Sequence, residues 1–111
     1  MNRLKFSLDI KPLSVNAAYR CRRFDTAAKK QYDRTLRLML PKRKIESQYY
    51  RVGYQFFLRN FEATDVDNLV KCLQDALVER GIIRDDRYIV DVRARKFQAD
   101  EDRIEITIEG I

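Results

Sequence analysis

The stretch DVDNLVKCLQDALVERGIIRDD, residues 65–86, decides how the rest of the chain is read. Leu69, Val70, Leu73, Ala76 and Leu77 recur in it at helical spacing. At about 100° per residue they gather on one side, while Asp67, Lys71 and Asp75 fall at about 0°, 40° and 80° on the other. The spacing predicts a helix over residues 66–80 with its charged face turned from the core and Gly81 as its C-terminal cap. Two carboxylates, Asp65 and Asp67, stand where a strand gives way to this helix, a junction that aims short side chains outward together. A second acidic pair, Asp85-Asp86, follows Gly81-Ile82-Ile83, where the chain turns back before the next strand.

The flanking segments supply the other elements. Leu4, Phe6, Leu8 and Ile10 alternate with polar residues and predict a strand over 3–10. Residues 11–23, with Pro12, Ser14 and Asn16 and without a sustained period, read as a basic loop. Asp25 or Thr26 can cap a helix over 26–40, in which Ala28, Tyr32, Leu36, Met39 and Leu40 recur at helical spacing until Pro41 stops it. Val52, Tyr54, Phe56 and Leu58 alternate in a strand near 50–60, where Phe57 and Tyr49 break the alternation as if both faces were covered. Strands over 88–97 and 103–109, with the polar tract 98–102 expected as their hairpin turn, complete the order β-α-β-α-β-β. The expected fold is α/β (α+β): a single small domain over residues 1–111, with a mixed four-stranded sheet and two main helices on a face.

Composition narrows the chemistry. The chain has no histidine, which removes the usual general base and the commonest transition-metal ligand. Cys21 and Cys72 form no close pair, so structural zinc and a disulfide scaffold are disfavoured. Hydrolysis would therefore run on carboxylates, which suit hard cations such as Mg²⁺. The absence of a long apolar run predicts a protein that is neither membrane-spanning nor secreted. Residues 1–60 hold 15 Lys and Arg against 4 Asp and Glu, and residues 61–111 hold 8 against 13, so the halves carry +11 and −5. A basic half of this kind suits a polyanion, and the acids are left for another task.

Taken singly, the acidic features have ordinary explanations. Acids at a helix N-terminus favour the dipole, Asp67 and Lys71 make a common i,i+4 pair, and Asp85-Asp86 suits a solvated turn. They gain joint meaning if the strand after Asp86 runs beside the strand before Asp65, because the turn carrying Asp86 then returns to the junction. Three carboxylates meeting there would repel one another unless a divalent cation held them. A neighbouring lysine would supply positive charge to a phosphoryl transition state, the arrangement that metal-assisted phosphodiester hydrolysis requires.

Asp65-Val66-Asp67-Asn68-Leu69-Val70-Lys71, Asp75-Ala76-Leu77 and Gly81-Ile82-Ile83-Arg84-Asp85-Asp86 together resemble the signature of the RusA family of Holliday junction endonucleases. Upstream, Pro12-Leu13-Ser14-Val15-Asn16 with Tyr19 and Arg20 resembles that family's N-terminal motif, with Leu13 in place of a frequent second proline. The resemblance spans about residues 12–91. It implies that Asp65, Asp67 and Asp86 are metal-binding catalytic acids, that Lys71 is the catalytic lysine, and that Asn68 and Asp85 support them. It further implies Mg²⁺ or Mn²⁺ as cofactor and a homodimer that makes paired nicks across four-way junctions in DNA recombination and repair. The expected setting is the cytoplasm of a bacterium, with a host, prophage or phage gene.

Asn16, Arg20, Arg22, Arg23, Lys29, Lys30, Lys42, Arg43 and Lys44 are the candidates for contact with the DNA backbone, which gives affinity without reading sequence. No small-molecule substrate or membrane partner is expected. Two other readings stay open at this level: an endonuclease acting on flaps, forks or other branched DNA, and a noncatalytic nucleic-acid-binding module using the basic half with Tyr19, Tyr49 and Phe57.

Overall fold

Ile104, Ile106 and Ile108 lose all solvent exposure while the residues between them face outward, and the strand that carries them organises the sheet. The computed structural model describes residues 2–14, 19–20 and 24–111, with the backbone alone at 19–20 and 24–25. In chain order the elements are β1 (Arg3–Leu8), β2 (Tyr19–Arg20), β3 (Phe24–Asp25), α1 (Ala27–Met39), β4 (Tyr50–Leu58), a 3₁₀ turn (Val66–Leu69), α2 (Val70–Glu79), a second 3₁₀ turn (Asp86–Tyr88), β5 (Ile89–Gln98) and β6 (Arg103–Gly110). The described residues form a four-stranded sheet in the order β1-β6-β4-β5. β6 runs antiparallel to both β1 and β4, while β4 and β5 run parallel. The sheet is mixed as expected, but the last two strands do not form the expected hairpin: β4 lies between β5 and β6, and the polar tract that joins them passes over the end of β4, where the Ala99 N–H donates to the Leu58 carbonyl at 3.0 Å.

β4 buries every second residue, from Tyr50 to Leu58, and leaves Arg51, Gly53, Gln55 and Phe57 on the other face. Both helices therefore pack on one side. The expectation of two covered faces fails, because Phe57 finds a partner within the open face. Its ring stacks on Phe97 at 5.0 Å between centroids, and the Arg103 guanidinium lies 3.8 Å from its centroid, so ring and cation shield one another without a second layer.

On the covered side, Thr26 caps α1 by accepting a hydrogen bond from the Lys29 backbone N–H at 3.2 Å. Asp25 is instead paired in β3, opposite Tyr19. α1 buries Tyr32 and Leu36 and the chain buries Leu40 just beyond it, but Ala28 and Met39, expected in the same stripe, face solvent. α2 buries Cys72, Leu73 and Leu77, and Gly81 takes φ 87° just past its end, the left-handed conformation that glycine adopts without a Cβ clash. Two further departures have simple causes. β2 falls within the predicted loop and β3 just after it, and the ribbon is too short to carry a period. Residues 66–69 wind as 3₁₀, so the 100° phasing that sets Asp67 in line with Lys71 starts only at Val70.

Among the described residues no helix is long and apolar enough to cross a membrane. The fully buried leucines and isoleucines each contribute about 1.5–3 kcal/mol relative to exposure. Ile106→Ala should lower unfolding free energy by about 2–5 kcal/mol, read from denaturant midpoints at constant slope. Thr107→Ala, next to it on the open face, should cost less than about 1 kcal/mol.

Candidate active site

Because β4 and β5 are parallel, the chain leaving Leu58 cannot turn directly into its neighbour and must cross over through α2. The residues just after Leu58 lie outside any ladder, yet their backbone groups are satisfied by side chains from the end of β5 and the connection to β6 beyond it. Asp102 accepts from the Arg59 N–H at 2.9 Å, and the Gln98 amide donates to the carbonyls of Leu58 and Arg59 at 3.2 and 2.9 Å. The Lys96 ammonium donates to the carbonyls of Phe61 and Thr64, both at 2.8 Å, and lies 4.6 Å from the Phe61 ring centroid. Asp65 then opens the first 3₁₀ turn, its carbonyl accepting from the Asn68 N–H at 3.2 Å. Buried Leu69 and partly buried Val66 anchor this turn, which rests against β5, and leave Asp65 and Asp67 exposed to solvent.

Lys71 projects from the first turn of α2. Its ammonium lies 2.8 Å from Asp75 Oδ1 and 3.8 Å from Asp86 Oδ2. The turn carrying Asp86 is itself fixed from outside. Arg84 donates to the carbonyls of Ser47 and Gln48 at 3.3 and 3.1 Å, and its guanidinium sits 3.8 Å over the Tyr88 ring. Asp85 caps the turn by accepting from the Arg87 N–H at 3.1 Å. That backbone bond, and next the hydrogen bond with the Asp86 side chain, hold the Asp85 carboxyl below its usual range. Behind the helix, burial, and then the charge of Asp75, push the Tyr54 phenol far above its ordinary value, so it stays protonated and donates to Gln74 at 3.1 Å.

The structure thus brings Lys71 and Asp86 together from distant parts of the chain and sets Asp65 and Asp67 one turn upstream. It does not gather the three acids into one shell: among the described residues no group of three Cys, Asp or Glu stands close enough to hold a metal ion. The side chains of Lys71 and Asp86 are 54% and 44% exposed, so their ion pair adds little to stability.

The proposed DNA contacts divide into three groups. Asn16, Arg22 and Arg23 lie outside the described residues, as does the side chain of Arg20. The Lys29 ammonium is engaged by Asp33 and its side chain is 12% exposed, so it presents less free charge to a DNA backbone than the others. An i,i+4 acid on the same helix face neutralises it. Lys30, Lys42, Arg43 and Lys44 face solvent. The segment following the last three is tied by the Ile45 N–H to the Ile82 carbonyl at 2.9 Å, so the basic turn adjoins the stretch that leads into Asp85-Asp86. Lys11 and Pro12 line a cleft of about 430 Å³ together with Arg59, Thr64 and Leu69, which puts the start of the basic loop beside the segment that leads to Asp65.

Lys96 and Arg84 escape a reading based on sequence. Lys96 left one trace, since it occupies the same alternate positions as Val92 and Ala94 and stands opposite buried Phe56 in the ladder. Arg84 left none, because its partners are backbone carbonyls more than thirty residues away.

A family model described as Endodeoxyribonuclease RusA matches residues 11–109. Among curated proteins, the uncharacterized protein YqaN of Bacillus subtilis (strain 168) is 41% identical over 54 residues, which cover 49% of this chain and 37% of that protein. The match spans little more than a third of the relative's length.

The Asp85 carboxyl should titrate below the ordinary aspartate range in a carbon-detected NMR titration. Its folded value is depressed, so the stabilisation it gives the turn is present above the unfolded aspartate value and is lost as pH falls through the folded one. Asp85→Ala should abolish that acid-limb contribution and loosen residues 86–88, visible as faster amide exchange there.

Proposed function

The chain belongs to the RusA endodeoxyribonuclease family, and on that premise we propose that it resolves Holliday junctions by paired, metal-dependent nicks during DNA recombination and repair. One observation carries the reading beyond membership. The Lys71 ammonium stands 3.8 Å from Asp86, a residue the chain reaches only after completing α2, and the exposed acids at 65 and 67 lie on the 3₁₀ turn that leads into that helix. A solvent-exposed lysine held among carboxylates, contributing little to stability, suits electrostatic work on a phosphate.

In this reading Asp65, Asp67 and Asp86 hold Mg²⁺ or Mn²⁺, with Asn68 and Asp85 supporting them. The donors fit a hard cation in kind, being carboxylates with no imidazole in the chain. Mutual repulsion opposes their closer approach without a cation. When bound, the ion would activate water and stabilise the departing oxygen. Lys71 neutralises charge on the phosphate, and its pairing with Asp75 and Asp86 holds the ammonium at the site until DNA arrives. Lys30, Lys42, Arg43 and Lys44, with the basic loop that begins at Lys11, contact the backbone without reading bases. Two copies acting as a homodimer account for paired incisions, and the setting is the cytoplasm of a bacterial cell, with a host or phage gene.

The decisive experiment incubates the protein with a four-way junction, with and without Mg²⁺, and maps cuts on all four strands. Symmetric incisions in one pair of strands are expected. Equal cutting of linear duplex would overturn the resolvase reading, and preferential cutting of flaps would assign the enzyme to other branched DNA. Asp67→Asn should keep or tighten junction binding while abolishing nicking; nicking that survives in nuclease-free preparations would remove Asp67 from the site. Junction affinity should fall by about 10³–10⁵ between 50 and 200 mM salt if roughly six to ten phosphates are contacted. A flat response would remove the backbone-contact model.

A further inference from the structure

Backbone groups that leave a sheet must find partners elsewhere, and the way residues 58–64 do so singles out Lys96. Gln98 and Asp102 serve the first two residues, Leu58 and Arg59. Lys96 alone of these three reaches the far end. Its ammonium bridges the carbonyls of Phe61 and Thr64 at 2.8 Å each, and the second of these belongs to the peptide that joins Thr64 to Asp65. Since a peptide unit is planar, gripping its oxygen fixes the orientation of the Asp65 nitrogen and thereby the direction in which that residue leaves the loop.

The position itself argues for this task. Lys96 is partly buried on the edge strand β5, opposite buried Phe56 in the parallel ladder and on the same side as exposed Val92 and partly buried Ala94. An apolar residue of similar length would cover the same surface, but it could not donate to the carbonyls of the neighbouring loop. The positive charge is offset by two carbonyl dipoles and the face of Phe61, and all of these belong to the segment that delivers the acid.

We propose that Lys96 is a positioning residue for Asp65, holding the Phe61–Asp65 segment in the geometry that cutting requires without touching DNA. This rests on the reading of Asp65 as an acid of the active site. The wild-type protein, Lys96→Met and Lys96→Arg are compared by single-turnover nicking of a saturating four-way junction with Mg²⁺, by metal-free junction affinity, and by amide hydrogen exchange at residues 61–67. Methionine keeps the length and removes the donors. It should slow nicking about 10- to 100-fold, the range for groups that orient ligands from outside, with affinity unchanged and exchange at 61–67 faster. Arginine, which can donate to both carbonyls, should recover rate and exchange together. Should the methionine variant fail to fold, Lys96→Gln, too short to bridge both carbonyls, takes its place with the same expectation. The proposal is overturned by wild-type nicking in the methionine or glutamine variant, by a rate loss that tracks lost affinity, or by restored exchange without restored rate. A wild-type protein that cuts no branched DNA defeats the functional reading itself, an outcome distinct from all three.

Discussion

Strands β4 and β5 run in the same direction, so the chain that leaves Leu58 must travel back along the sheet before it re-enters at Ile89. Everything that bears on the proposed chemistry lies on that return path or holds it in place. Asp65 and Asp67 sit where the path begins, Lys71 stands at the head of the helix, and Asp85-Asp86 close it. An antiparallel pair joined by a tight turn would have left no room for a lysine between two acidic turns. Parallel pairing is thus the constraint that converts a pattern along the chain into a neighbourhood in space.

Such a path is costly to order, since neither turn contributes strand hydrogen bonds. The protein solves this with side chains that reach backbone carbonyls. Lys96 and Gln98 secure the outgoing loop, and Arg84 secures the returning one through Ser47 and Gln48. Apolar anchors complete the restraint, with Leu69 under the first turn and Ile82 and Ile83 before the second, all buried. The carboxylates themselves stay in solvent, where their charges carry little desolvation penalty and remain accessible to a polyanion and its counterions.

The two faces of the sheet divide the labour. One is covered by α1 and α2 over a core in which Ile104, Ile106, Tyr54 and Phe56 are wholly or almost wholly buried, though Val92 on the edge strand stays exposed. The other stays open and solves its apolar exposure locally, by the stack of Phe57 on Phe97 flanked by Arg103 and Arg95. The same β5 that carries Phe97 outward carries Lys96 inward, so alternation along a single strand serves both the open face and the acid loop.

The elements themselves were legible in the sequence, because period-two runs at β1, β4 and β6 and helical spacing at α1 and α2 are local consequences of one-sided burial. The acids and Lys71 were legible as candidates, since residue type and spacing are properties of the chain. What it could not convey was how those groups face one another. The 3₁₀ winding of Val66–Leu69 shifts Asp67 from its expected phase, the acids do not close into a single shell, and Lys29 is consumed by Asp33. Lys96 and Arg84 acquire their roles from carbonyls contributed by segments far away along the chain. A carbonyl is present in every residue and leaves no mark in a sequence. Only the folded path decides which of them a cation will meet.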